Sequence, residues 1–307
     1  MDARLPVSTD VPLVSIYHLA YNQIDGLREA VESTLSQDYP NLEIVFSDDH
    51  STDGTYEALK EIVAEYDGPH DVRIYQNTRN LGIVGNFNHC IERTSGQLIV
   101  QCNGDDISRS DRVSRLVETW QRSPDVLLVH STAQYVMGGG EKGRKLNVRP
   151  ADEFANSPHV YVVDLYYALG ASAAYDRRIF DYFGPVPDIA IVEDSVMPFR
   201  ARLLGQVVKS DEVLVWLPPG GMSYVKEGEM PAKFRRILNE IHYSNAKAFL
   251  IDLRKVDVPG KRRLVMVCLL LLVRNYLLKI GLGGIVKFTR PMLRSHVVPV
   301  IKLFLPR

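Results

Sequence analysis

Two hydrophobic rhythms take turns along the N-terminal part of the chain. Short apolar runs at 13–19, 42–46, 72–75, 97–100 and 126–129 have the length and β-branched content of buried strands. Between them apolar residues recur at three- and four-residue steps: Ile24, Leu27, Val31, Leu35, then Tyr56, Leu59, Ile62, Val63, then Val84, Phe87, Ile91, and finally Val113, Leu116, Val117, Trp120. That spacing collects them on one face of a helix. Strand and helix in regular alternation predict an α/β fold, a mainly parallel, Rossmann-like sheet with helices on both faces. Ligands of such sheets bind beyond the carboxyl ends of the strands, so the residues that follow each strand carry the functional expectation.

Those positions are polar. Tyr21 and Asn22 follow the first run, Asp48 and Asp49 close the second, and Asn103-Gly104-Asp105-Asp106 closes the fourth. Adjacent carboxylates repel, and each resists ionising unless a cation or a donor sits between them. A hard divalent cation such as Mg²⁺ or Mn²⁺ resolves the conflict and keeps positions open for phosphate oxygens. A solvated turn with one Asp capping the next helix is the simpler alternative for an isolated pair. Three polar clusters at one sheet edge favour a binding site over three turns.

Farther along, Gly170-Ala171-Ser172 precedes an amphipathic run through Arg178, Ile179 and Phe183. A loop then ends in Glu193-Asp194, ahead of Met197, Phe199, Leu203 and Leu204. A carboxylate at a helix N-terminus is held by backbone donors and is ready to accept a proton; a plain N-cap is the alternative. Val213–Trp216 reads as another strand, and Phe234, Ile237, Leu238, Ile241 and Ala248 mark a long helix opened by Met230-Pro231.

Charge divides the chain in two. The total is −1, yet residues 254–307 hold twelve Lys and Arg against the single acid Asp257, a local +11 that leaves −12 for residues 1–253. The expected organisation is a catalytic body over 1–253 and a basic, apolar helical tail over 254–307. The apolar run Leu264–Val273, stopped by Arg274-Asn275, falls well short of the roughly twenty residues that cross a bilayer. Three uses of the tail stay open: lying on an anionic membrane surface, packing on the body, or forming a homodimer seam. Nucleic acid is not expected, because the tail carries no recognisable module and few aromatics. Cys90, Cys102 and Cys268 form no CxxC pair, so neither a zinc knuckle nor a disulfide framework is indicated, and a reducing, cytoplasmic setting is expected, peripheral to the membrane if the tail binds it. Met1–Asp10 has no apolar stretch, and no signal peptide is expected there.

Taken together, Val14-Ser15-Ile16 to Ala20-Tyr21-Asn22, Ser33 to Pro40, Asp48-Asp49-His50-Ser51-Thr52-Asp53-Gly54-Thr55, Asn80-Leu81-Gly82 and Gly104-Asp105-Asp106 form a collinear set. Over about residues 11 to 225 the chain resembles the family 2 inverting glycosyltransferases of GT-A fold. The resemblance implies a nucleotide-diphosphate sugar donor, a divalent metal (Mg²⁺ or Mn²⁺) and single-displacement transfer to the hydroxyl of a saccharide or lipid-linked saccharide, in surface polysaccharide or glycolipid synthesis. It implies that Leu19, Ala20 and Tyr21 wall the base, that Asp49 accepts from the base imide, and that Asn80 belongs to the donor site or to a mere turn. Asp105 would bond the ribose or bridge to the metal, and Asp106 would ligate the metal. Asp194 matches the catalytic base and Glu193 an acceptor-positioning neighbour, while Gly170 and Ser172 form the acceptor wall or a tight turn.

Several positions depart from the family pattern. Asn103 stands where an acid often lies, His50 replaces a usual Gly, Phe87 takes the place of a frequent Arg, and 217–223 lacks a histidine, so either the metal has fewer protein ligands or Ser223 and backbone groups fill in. Those departures keep alive a nucleotide-sugar-binding module without turnover. A sugar nucleotidyltransferase is disfavoured, since no Gly-rich loop precedes Tyr21.

Overall fold

The computed structural model describes residues 11–136, 141–146, 168–218 and 232–279. Met1–Asp10, Ser223 and tail residues 280–307, about which expectations were formed, lie outside the described residues.

The alternating pattern produces β1 (Val14–Ala20), α1 (Leu27–Leu35), β2 (Leu42–Asp48), α2 (Thr55–Ala64), β3 (Asp71–Gln76), α3 (Gly82–Ile91), β4 (Leu98–Asn103), a short β5 (Ile107–Ser108) and α4 (Arg112–Trp120). The chain continues through β6 (Val126–Val136), β7 (Lys142–Leu146), a 3₁₀ turn at Gly170–Ser172, β8 (Ala173–Asp176), α5 (Arg177–Phe183), α6 (Val196–Leu204), β9 (Gln206–Leu217), α7 (Ala232–Lys255) and α8 (Lys261–Lys279). The strands form one sheet in the order β3-β2-β1-β4-β8-β6-β9-β5, with β7 added against β6.

Residues in β1 and β2 are buried throughout, because helices cover both sides. Val14 and Ile16 pack with Leu27, Leu59 and Leu116, from α1, α2 and α4. Tyr17 and Leu19 point the other way, into a second cluster with Phe87 of α3, Phe180 of α5 and Phe199 of α6. Period-two alternation within the strand thus supplies both cores at once.

The expected mainly parallel sheet is present, with antiparallel pairs that periodicity did not announce, β7 against β6, β5 against β9 and β8 against two neighbours. The four-residue β8 runs antiparallel between β4 and β6, pairing Val100 with Ala174 and Val129 with Ala174. Its antiparallel direction brings the turn that precedes it, Gly170–Ser172, to the carboxyl end of β4. Register does the same for the parallel strands: Ala20 lies beside Asp48 and Leu19 beside Asn103.

The C-terminal helices join the second core. Phe249 and Leu253 of α7, with Leu264, Val267, Cys268 and Leu271 of α8, are buried in the same cluster as Phe199 and Met197. Each such side chain stabilises the fold by about 1.5–3 kcal/mol. The expected boundary after residue 253 falls within the last turn of α7.

Candidate active site

Asp49 shows how local sequence builds this edge of the sheet. Beyond β2 the chain turns through His50, whose φ of 62° lies in the left-handed region normally filled by glycine. The Asp49 carboxylate then accepts from the backbone N–H of Leu81 at 2.8 Å and of Gly82 at 2.9 Å, and from Asn77 Nδ2 at 2.9 Å. Gly82 adopts φ 74°, and its N–H is also reached by Asn80 Oδ1 at 2.8 Å. Asn80-Leu81-Gly82 is therefore a turn that holds Asp49, and Asn80 reaches the cavity beside it.

A cavity of about 560 Å³ opens along this edge. Leu19, Ala20, Tyr21, Asp49, Asn80, Asp105, Asp106, Glu193 and Asp194 all line it. Ile83 and Asn86 line it too, although the helical spacing of α3 marked only Val84, Phe87 and Ile91. Phe87, standing at the frequent-Arg position, is fully buried against Tyr17 and Tyr175 and has no place in the cavity.

The acidic pair that follows β4 is braced on each side. Gln23 Nε2 donates to Asp105 Oδ1 at 3.0 Å, and Asn103 Nδ2 donates to Asp106 Oδ2 at 2.8 Å. Asn103 thus brings a donor where the family pattern has an acid. Burial first, and then the Asp105 charge, push the Asp106 carboxyl up to about 7. Burial likewise raises Asp105. Two adjacent hard oxygen donors under this strain fit a divalent cation. Among the described residues no group of three His, Cys, Asp or Glu side chains is placed to enclose a metal. Mg²⁺ and Mn²⁺ accept so sparse a donor set, since they usually retain waters and phosphate oxygens.

Glu193 and Asp194 come from the loop ahead of α6. Asp194 was expected to be held by backbone donors at a helix N-terminus. It is instead enclosed in the cavity wall, with Oδ1 lacking any hydrogen-bond partner, while Ser195 occupies the N-cap. Burial, and then the Glu193 charge beside it, push the Asp194 carboxyl well above the usual range. Burial raises Glu193 as well, partly offset by Gln101, whose Nε2 donates to Glu193 Oε1 at 2.8 Å. Tyr175 of β8 donates in turn to Gln101 Oε1 at 2.7 Å, which fixes the orientation of the amide.

Gly170 and Ser172 divide in role. A Cβ on Gly170 would overlap the Asp194 carboxylate, so glycine is what allows the two to approach. The Ser172 hydroxyl is fully buried, its single proton shared between Ser131 O of β6 at 2.8 Å and Leu169 O at 3.0 Å. Ser172 thus serves the tight turn that was the alternative to an acceptor wall, and its neighbours Leu169 and Ala171 line the cavity. Beneath the site lies Arg112, also fully buried, which donates to Gln101 O at 2.7 Å and Ala171 O at 2.9 Å. It joins β4 to the 3₁₀ turn, a role that the apolar spacing of α4 does not announce.

The chain is similar to known proteins in sequence and in fold. A Bacillus subtilis chain named as glycosyltransferase EpsE is 37% identical over 106 residues, covering 34% of this chain and 37% of that one. Across the first curated relatives this chain spans only 37% to 38% of their length. Among solved structures, residues 1–349 of Staphylococcus aureus TarS, also solved with UDP-GlcNAc, superpose with a TM-score of 0.58 at 16% identity, over 86% of this chain and 72% of that one. The mannosyltransferase PcManGT of Pyrobaculum calidifontis, in complex with GDP-Man and Mn²⁺, gives a TM-score of 0.55 at 18% identity over 96% and 88%. At such identities the likeness is one of fold, the GT-A fold. The model of glycosyl transferase family 2 matches residues 15–184, more than half of the chain, and the protein belongs to that family.

Proposed function

We propose that this protein transfers a sugar, with inversion, from a nucleotide-diphosphate sugar to an acceptor hydroxyl, assisted by a divalent cation. The observation that carries the proposal is that Asp49, Asp105, Asp106, Glu193 and Asp194, from three distant stretches of sequence, line one cavity. The donors named for TarS and PcManGT, UDP-GlcNAc and GDP-Man, support the donor class.

Leu19, Ala20 and half-exposed Tyr21 offer an apolar wall to a base. Asp49 accepts three hydrogen bonds from the protein and keeps acceptor capacity for an imide N–H. Asp105, oriented by Gln23, serves the ribose or the cation, and Asp106 the cation. When bound there, a divalent cation supplies Lewis-acid charge to the departing diphosphate.

Asp194 takes the proton of the acceptor hydroxyl as that oxygen attacks the anomeric carbon from the face opposite the diphosphate. Its raised proton affinity suits the task, because a more basic carboxylate drives proton transfer better than an ordinary one. Glu193, oriented by Gln101, positions the acceptor. The acceptor class is a saccharide or lipid-linked saccharide of a surface polysaccharide or glycolipid, reached from the cytoplasmic side.

Turnover of a panel of nucleotide sugars with Mn²⁺, read beside donor-induced thermal shifts, tests the proposal. Metal-dependent product formation that Asp194→Asn abolishes is expected. Donor binding without product from any acceptor would leave a binding module instead.

A further inference from the structure

Helix α8 is apolar on the side that faces the protein and equally apolar on the side that faces away. Leu264, Val267, Cys268, Leu271 and Asn275 are buried, and they gather on one side of the helix at 3.6 residues per turn. On the opposite side Arg262, Met266, Leu269, Val273 and Tyr276 recur at the same helical spacing, and all are exposed. The four apolar members are exposed by 45% to 59%. A surface helix ordinarily turns polar residues outward, so an outward apolar stripe about three turns long points to a partner.

The charge around the stripe says what that partner is. Arg254 and Lys255 end α7, Lys261, Arg262 and Arg263 begin α8, and Arg274 and Lys279 lie near its end, with Asp257 the only acid from 254 onward. A second copy of this face fits poorly. Antiparallel apposition sets Lys261–Arg263 against the partner helix's Arg274 and Lys279, parallel apposition sets Arg262 against itself, and no carboxylate in α8 offsets either. An apolar stripe headed by the exposed Arg262, on a helix without a carboxylate, suits a lipid surface bearing negative charge. Crossing the bilayer is not an option for this helix: no described helix is long and apolar enough, and one side of α8 is committed to the protein core.

We infer that the outward face of α8 docks on an anionic lipid surface, with Met266, Leu269, Val273 and Tyr276 entering the headgroup boundary and Arg262 and its basic neighbours meeting the lipid charge. The helix lies in the plane of the surface, so the body remains in water and the cavity stays accessible to a soluble donor. The inference is independent of which sugar or acceptor is used.

Sedimentation of the full chain with phosphatidylcholine vesicles, with and without phosphatidylglycerol, tests it. The protein is expected to partition onto the phosphatidylglycerol vesicles only, and Leu269→Glu with Val273→Glu is expected to lower that partition about tenfold or more. Because both side chains are exposed, thermal melting and donor turnover in vesicle-free solution should be unchanged. A second variant, Arg262→Glu with Lys261→Glu, should weaken partition and flatten its dependence on anionic lipid content. Equal partition of wild type and the Leu269/Val273 variant overturns the inference. So does a wild-type dimer in sedimentation equilibrium that the variant splits while vesicle binding is unaltered. Loss of partition with turnover retained supports it, and absence of turnover in the wild type bears on the catalytic proposal alone.

Discussion

Gln101 sits between Tyr175 and Glu193, receiving the Tyr175 hydroxyl on Oε1 at 2.7 Å and donating from Nε2 to Glu193 Oε1 at 2.8 Å. With both ends of the amide occupied, only one orientation satisfies the pair, and the Glu193 carboxylate is held to the central strand. Gln101→Leu leaves a buried carboxylate oxygen without its donor, a loss of about 1–3 kcal/mol. The expected result is a kcat lower by about tenfold with donor KM nearly unchanged. Tyr175→Phe should have a smaller effect in the same direction, and steady-state kinetics on the two variants checks the order.

Asp194 should trade stability for catalysis. Asp194→Asn is expected to lower kcat by about 10²–10⁴-fold, the usual contribution of a positioned base. The same change should stabilise the fold at neutral pH. A carboxyl with a raised folded-state pKa costs more to ionise folded than unfolded, so stability falls as pH rises from the ordinary carboxylate range up to that raised value. The variant's gain should therefore be absent below the ordinary carboxylate range and grow as pH rises above it, as urea unfolding across pH would report.

Glu193→Gln removes the charge that, after burial, contributes most to raising Asp194. The acid limb of kcat/KM should move to lower pH in that variant. An unmoved limb would mean that another group governs the profile.

Gly170→Ala tests the close approach of the 3₁₀ turn to the base. Its Cβ would overlap the Asp194 carboxylate and displace it. A shift of about 1 Å in a catalytic group lowers kcat by about a hundredfold, while donor-induced thermal shift should persist because the base-binding residues are untouched.

Arg200 and Asp252 tie α6 to α7 through two hydrogen bonds, Nε to Oδ2 at 2.8 Å and Nη2 to Oδ1 at 2.9 Å, with both side chains fully buried. Arg200→Met leaves an uncompensated buried carboxylate and should cost about 3–5 kcal/mol in urea denaturation. Pairing it with Asp252→Leu should recover most of that loss, which would separate the charge effect from simple packing.

Much of the fold was legible because burial on both faces leaves a periodic trace. The β1–β4 strands, the four amphipathic helices between and after them, and the edge on which Asp49, Asp105 and Asp106 gather all followed from spacing. β8 was not legible: four residues, Ala173–Asp176, are too few to establish a period, and their strand conformation comes from pairing with β4 and β6. Arg112 and Gln101 were missed for a related reason. Spacing marks apolar positions only, and it takes their partners, Ala171 O for Arg112 and Glu193 for Gln101, to show why these polar side chains are buried.

By itself the sequence determined the longer strands and the amphipathic helices, which edge of the sheet bears acids and where positive charge collects, since these depend on residues near one another along the chain. Tertiary structure decided what local order cannot encode. It set Gly170 against Asp194, turned Ser172 away from the cavity, took Phe87 into the core and placed half of α8 against the body while its other apolar half faces outward. These are contacts between distant segments, and no periodicity records them because each depends on which element packs beside which.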